Sequence, residues 1–343
     1  MNPNVKILGR TPAGQGDFIP LFWTGSGALF RIQASSLSFL LESADSVYEQ
    51  WIRIELDGVT ILRTSLQPGL NNVTVFRGID KAQTHLVQLY KEVQAMAQDE
   101  TAWLLLRDIQ TDGEILPPPP FEHRLEFIGD SLTSGEGLAC ETHFMDWVSC
   151  MFSTEGSFPQ ILAKRLNAEI RVLSQSGWGA LSSWDGNENC TMYPGYREVC
   201  GLLTGKKNAL LGAHEPNDFS WTPEAIIINL GTNDGSACQN CADQGDFKRR
   251  LSLRVIAFLE QIRACNPDAL ILWAYGMCGH VMEDTLQNAV HEYAKKTGDR
   301  ATRYVHLPAA SKEEMGSRQH PGRPSHQKCA DVLYNELAGI LTI

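Results

Sequence analysis

Short apolar stretches separated by turn residues fill the first part of the chain. Segments 28–33, 37–41, 51–56, 59–63, 72–76, 85–90 and 102–107 either alternate apolar and polar residues or run apolar for the length of a strand. Alternation with period two puts one set of side chains on a buried face and the other in water. Asp57-Gly58, Pro68-Gly69 and Arg77-Gly78 punctuate the series as turns. Several strands of this length with such punctuation predict an all-β sandwich or jelly roll over 1–116. Pro117, Pro118, Pro119 and Pro120 then follow one another. Prolines lack the N–H that a ladder or helix interior needs, so 117–122 is expected to be an extended linker.

The pattern then changes. Apolar runs at 125–128, 170–173, 225–230 and 269–275 read as buried strands, with 303–307 the last, and segments of helical period lie between them. Phe247, Leu251, Val255, Phe258, Leu259 and Ile262 form one apolar stripe that predicts a helix over 246–265, ended by Asn266-Pro267. Helices are also expected over 158–166, with Pro159 in the first turn, over 282–296, and at the C-terminal end from Val332 to Leu341. Buried strands alternating with helices predict an α/β domain over 123–343, a parallel sheet covered on both faces in three layers.

Composition narrows the classes. The formal net charge is -11 and no lysine/arginine cluster stands out, which argues against nucleic acid or an anionic membrane as partner. No apolar run approaches the length of a membrane span, and the first residues lack the continuous apolar core of a secretory signal. There are nine cysteines, an odd number, which fits a reducing cytoplasm better than a disulfide scaffold. A cytoplasmic protein is therefore expected. Cys238 and Cys241 have the spacing of a zinc or redox pair, but no second pair of that spacing exists, and plain thiols are the expectation.

Candidate chemistry lies where apolar strands break into polar turns. Phe127-Ile128 runs into Gly129-Asp130-Ser131, with Gly135 and Gly137 following, so a serine is delivered to the C-terminal end of a buried strand. Ser176-Gly177-Trp178-Gly179 follows the run ending at Leu173, and glycines there let backbone N–H groups approach a ligand closely. The strand 225–230 ends in Gly231-Thr232-Asn233-Asp234, whose asparagine can aim an amide N–H at the same crevice. His320-Pro321 sits in a Gly/Pro-rich loop before the last helix, and His326 is a rival base six residues on. Asp130 and Asp234 are expected to brace their loops. Trp273 is expected in the core, whereas Trp178 and Trp184 are aromatic candidates beside the crevice.

These four blocks, in this order, resemble the SGNH (GDSL-type) hydrolases. The resemblance implies Ser131 as nucleophile and His320 as general base. It implies an oxyanion hole from the Ser131 N–H, the N–H of Gly179 (rather than Gly177) and the Asn233 side chain. The family usually has an aspartate three residues before the histidine; here that position is Ser317. A backbone carbonyl or another side chain must then orient Nδ1 of His320. Carbohydrate esterase family 2, a branch known for a Ser-His dyad, is similar over nearly the whole chain. Phe22-Trp23-Thr24-Gly25-Ser26-Gly27-Ala28, the His85-Leu86-Val87 strand leading to Lys91-Glu92, the proline run before Arg124, and Gly276-Met277-Cys278-Gly279 carry the likeness.

The resemblance implies a jelly-roll domain followed by an SGNH three-layer domain. It implies a carbohydrate O-acetyl esterase acting on mannan- or xylan-derived oligosaccharides, with Trp184 and then Trp178 against the sugar. That chemistry requires neither cofactor nor metal. An esterase, lipase or thioesterase for another acyl group, and a carbohydrate-binding protein without catalysis, are the alternatives. The sugar, the hydroxyl position and the oligomeric state are open at this level.

Overall fold

The computed structural model describes residues 2–14 and 16–341. The chain divides into two compact units. One comprises Met1–Pro120, Val148–Cys150 and Arg197–Asn217; the other comprises Phe121–Trp147, Met151–Tyr196 and Asp218–Ile343.

The first unit is a sandwich of two antiparallel sheets. Its strands are β1 (Lys6–Leu8), β2 (Ile19–Pro20), β3 (Gly27–Gln33), β4 (Ser36–Ala44), β5 (Trp51–Leu56), β6 (Val59–Ser65), β7 (Gly69–Arg77), β8 (His85–Lys91), β9 (Trp103–Thr111) and β10 (Glu114–Leu116). One sheet has the order β1-β3-β8-β5-β6, with β10 also paired to β3, and the other β2-β9-β4-β7. β4 alternates buried and half-buried positions along its whole length, as its sequence predicts. Its Phe39 meets Phe30 of the facing sheet edge to face, ring centroids 6.1 Å apart, in a core that also holds Ile32, Leu41, Ile52, Ile54, Val87 and Leu106.

β5 breaks the expected alternation. Arg53 and Glu55 are buried beside Ile52 and Ile54. Arg53 pairs with Glu55 and with Glu92 (3.1 Å), lies 4.0 Å over the Tyr90 ring, and Arg63 closes the network on Glu92 at 2.9 Å. Buried charges persist only when paired in this way.

The second unit is a five-stranded parallel sheet of order β12-β11-β13-β14-β15. β11 (His123–Gly129) leads into the short helix α1 (Ser131–Ser134), and α2 (Phe158–Arg165) precedes β12 (Ala168–Ser174). The chain then runs through Arg197–Asn217, which contains α3 (Lys206–Leu210) and groups with the sandwich. There the Trp23 indole N–H donates to the Val199 carbonyl (2.7 Å) and the Asn208 amide to that of Ala102 (3.3 Å). β13 (Ala225–Asn229), α4 (Thr232–Asn240), α5 (Gln244–Cys265), β14 (Leu270–Tyr275), α6 (Glu283–Thr297), β15 (Thr302–His306) and α7 (Arg323–Ala338) complete the unit. Every residue of β13 and β14 is buried, which is why these segments read as apolar runs without alternation. The fold is therefore an α/β unit with a parallel sheet preceded by a β-sandwich. Among the described residues no helix is long and apolar enough to cross a membrane.

One loop hub in the sandwich is held by a single carboxylate. Buried Asp99 accepts the backbone N–H of Ser46 (2.9 Å), Val47 (2.9 Å), Tyr48 (3.3 Å) and Thr101 (3.0 Å). Burial opposes its ionisation, but the hydrogen bonds from Thr101, Ser46 and Val47 outweigh burial and hold the carboxyl well below its ordinary 3.8. Its stabilisation is thus complete above that value and is lost as pH falls through the depressed folded value. Asp99→Asn should lower unfolding free energy by about 2–3 kcal/mol at neutral pH. Urea unfolding of both proteins should show that gap narrowing toward about pH 3.

Candidate active site

Parallel register brings three of the four polar blocks together. Gly129 at the end of β11 lies beside Ser174 of β12 and Asn229 of β13, so the loops after these strands leave the same edge of the sheet. A side chain at Gly129 would meet the Thr133 hydroxyl at 2.0 Å and the Asn229 carbonyl at 3.0 Å, so this tight exit needs glycine. Asp130 caps α1 by accepting the Leu132 N–H at 3.0 Å. Ser131 is the first helical residue, where no intrahelical acceptor exists for its N–H.

The Ser131 hydroxyl lies 3.0 Å from Nε2 of His320. The other ring nitrogen, Nδ1, is 3.0 Å from the Arg318 carbonyl oxygen. A carbonyl accepts only, so Nδ1 carries the proton and Nε2 is free to accept from Ser131. Of the two ways left open by the missing aspartate, a backbone carbonyl is the one found. Ser317, at the aspartate's position, has its hydroxyl buried with no hydrogen-bond partner among the described residues.

The second and third blocks are tied to each other and to the first. Asp234 accepts the backbone N–H groups of Ala180 (2.9 Å), Leu181 (2.7 Å) and Ser182 (3.1 Å). Gly179 passes so close to this knot that a side chain there would meet the Ser182 carbonyl at 2.3 Å and the Asp234 carboxylate at 2.4 Å. The Asn233 amide donates to Asp130 (3.1 Å) and to the Trp178 carbonyl (2.9 Å). Both aspartates brace loops, as their sequence positions lead one to expect. Burial pushes Asp130 up to about 7, with the Leu132 N–H opposing and the charges of Asp234 and Glu136 adding to it. Burial also raises Asp234, despite three N–H donors.

His326 has a different task from His320. It is fully buried, accepts the Phe158 N–H at 3.1 Å and stacks on the Phe158 ring with centroids 5.9 Å apart. Burial, with the nearby His320 charge, pushes it down to about 3, so it is neutral at working pH. Trp273 is buried in β14 and its indole donates to the Leu230 carbonyl at 3.1 Å. Trp178 is half-buried, and Trp184 is 60% exposed, with its backbone N–H held by the Gly177 carbonyl at 3.0 Å.

No disulfide joins Cys238 to Cys241, and the Cys241 thiol donates to the Cys238 carbonyl at 3.2 Å. A grouping with no signal in the sequence is His280, Glu283 and His306, whose ligand atoms lie within 4.8 Å of one another. Glu283 is 2.6 Å from Nδ1 of His306, and the two imidazoles stack face to face at 4.5 Å, which turns them alongside each other rather than toward a shared point. Sequence reasoning also misses Glu136 and Arg318, which flank His320. Both lie inside the serine and histidine blocks, at positions to which the pattern of those blocks assigns no role.

Comparison with known proteins gives a consistent picture. The model of the GDSL-like Lipase/Acylhydrolase family matches residues 127–322. The structure is similar to that of an acetyl xylan esterase, Est2A, from the rumen bacterium Butyrivibrio proteoclasticus, with 34% identity and a TM-score of 0.95 over 100% of this chain and 97% of that one. Among curated proteins, the chain is 24% identical to the cellulase/esterase CelE of Acetivibrio thermocellus, over 98% of this chain but only 39% of that longer protein. It is 21% identical to an acetylxylan esterase / glucomannan deacetylase of Cellvibrio japonicus, over 99% of this chain and 90% of that one.

Because His326 is held below its ordinary 6.5 in the folded state, the unfolded chain binds more protons between that value and about 3. Stability from this residue therefore rises with pH across that window and is lost as pH falls through it. His326→Gln keeps an acceptor for the Phe158 N–H but does not titrate. Denaturant unfolding should show a shallower rise of stability over this pH window than in the wild type.

Proposed function

We propose a function from this premise: the chain belongs to the GDSL-like lipase/acylhydrolase family, the SGNH hydrolases, and has the two-domain architecture of carbohydrate esterase family 2. Membership makes it a serine hydrolase of esters. The function proposed is removal of O-acetyl groups from xylan- or mannan-derived oligosaccharides by a Ser131–His320 dyad. The observation that carries it is the 3.0 Å approach of Ser131 Oγ to a His320 Nε2 whose tautomer is set by the Arg318 carbonyl. The names of the Butyrivibrio and Cellvibrio relatives support the acetyl group and the polysaccharide class.

In this reading Ser131 Oγ attacks the acetyl carbonyl while His320 Nε2 takes its proton. The tetrahedral oxyanion is met by the N–H groups of Ser131 and Gly179 and by the Asn233 amide. Both protons of that amide already have acceptors, Asp130 and the Trp178 carbonyl, so Asn233 serves the oxyanion by sharing or exchanging one of them. His320 then protonates the departing sugar oxygen. Water, activated by the same imidazole, releases acetate from Ser131. Trp184 offers an exposed ring on which the apolar C–H edge of a sugar stacks, and half-buried Trp178 is the second candidate. The odd number of cysteines, nine, favours a reducing compartment, hence the cytoplasm and imported oligosaccharides rather than intact polymer.

Acetate release from acetylated xylo- and manno-oligosaccharides tests the reading. The wild type should release acetate and Ser131→Ala should not; absence of release from the wild type would remove the function. Asn233→Ala should lower kcat about 100- to 1000-fold, and a near-normal rate would take Asn233 out of the mechanism. Trp184→Ala should raise KM for the oligosaccharides about 2- to 10-fold while leaving a small acetate ester, which has no sugar ring to stack, nearly unaffected.

A further inference from the structure

A triad acid normally does two things: it fixes the histidine tautomer and it stabilises the imidazolium. Here the first task falls to a peptide carbonyl in an unfavourable conformation. Arg318 (φ 54°) and Gln319 (φ 57°) are consecutive non-glycine residues in the left-handed region. Side chains are strained in that region, so the turn persists only if its surroundings impose it. Three contacts impose it on Arg318. Its N–H donates to the Phe144 carbonyl (2.8 Å), its Nη1 to the Met145 carbonyl (3.2 Å), and its Nε to Oε1 of Glu136 (3.2 Å).

Glu136 is the charged member of this set. Its side chain is only 2% exposed, and its second oxygen accepts the Ser176 hydroxyl at 2.6 Å. It stands five residues after Ser131, just past the end of α1, and its own N–H donates to the Ser131 carbonyl at 3.0 Å. The oxygen that holds Arg318 is also 3.5 Å from Nε2 of His320. One carboxylate therefore reaches both the group that orients the imidazole and the imidazole itself.

We propose that Glu136 is the positioning residue that replaces the missing triad acid, holding the Arg318 peptide against Nδ1 of His320 through the guanidinium and stabilising the imidazolium by its charge beside Nε2. This rests on the dyad reading above. The other charged or titratable groups that face this set are Arg318 itself, the buried neutral His326 from α7, which lies within electrostatic reach of His320, and Asp130 and Cys278, each within electrostatic reach of Glu136. A carboxylate favours the protonated imidazole, so its removal makes His320 easier to deprotonate.

The test is Glu136→Gln, which keeps the shape and an acceptor for Arg318 but removes the charge. Two readouts are needed: the pH profile of kcat/KM on an acetyl ester, and the NMR titration of the His320 ring. The acid limb and the ring titration should both move at least about one pH unit lower, with kcat reduced about 10- to 100-fold. An unmoved acid limb and ring titration would overturn the proposal, whatever the change in kcat or stability. Arg318→Met separates the two tasks and serves if Glu136→Gln does not fold. It leaves the carboxylate in place, so kcat should fall about 10- to 100-fold with no downward move of the acid limb; full activity would sink the orienting role. A ring titration that shifts in Glu136→Gln while the wild type hydrolyses no acetyl ester would support the coupling and overturn the dyad reading on which its use depends.

Discussion

The site depends on one constraint, the buried hydrogen-bond mesh of Asp130, Asn233 and Asp234. Asp234 gathers three consecutive backbone N–H groups of the Gly179 loop, while its neighbour Asn233 reaches across to Asp130, which caps the helix beginning at Ser131. Three loops from three different strands are thereby held as one object. Neither carboxylate is comfortable there. Burial pushes both up, Asp130 to about 7, and only the N–H and amide donors offset the desolvation. The members are mutually dependent: each lost donor leaves a buried carboxylate with more of its desolvation penalty unmet.

That constraint explains which glycines the blocks contain. Gly129 must be bare because the Thr133 side chain folds back over the strand exit, and Gly179 because the Asp234 knot leaves no room for a Cβ. Gly137, with φ 88°, closes the same argument from the other side: a side chain there would meet Cβ of His320 at 2.8 Å and the Ser317 carbonyl at 2.8 Å. The serine loop and the histidine loop are thus pressed backbone to backbone, which is how Ser131 and His320 come within one hydrogen bond despite their separation in sequence.

The apolar part of this architecture is legible in the sequence alone. The alternation of β4, the apolar runs of the fully buried β13 and β14 and the stripe of α5 each state their burial directly. Legibility ends where burial is polar. α4 reads as a turn because its buried residues include Asn233 and Asp234 rather than an apolar stripe. β5 hides Arg53 and Glu55 in its interior, which a hydropathy pattern assigns to solvent. Glu136 and the left-handed pair Arg318–Gln319 leave no periodic trace at all, since their roles rest on partners far along the chain.

Replacing a side-chain acid by a peptide changes how the catalytic imidazole is held. A carbonyl cannot be protonated, so it fixes the tautomer of His320 at every working pH, but it brings only a dipole to meet the imidazolium. It also has to be aimed by the backbone, and the aim here requires two adjacent residues in the left-handed region. The full charge and the force that keeps the turn must come from elsewhere. Glu136 can provide both because it stands just past the helix that begins at Ser131, so the nucleophile and the support for its base are carried on one short segment. The serine block thereby supports the base as well as supplying the nucleophile, and the aspartate position can fall to a serine whose hydroxyl bonds to nothing among the described residues.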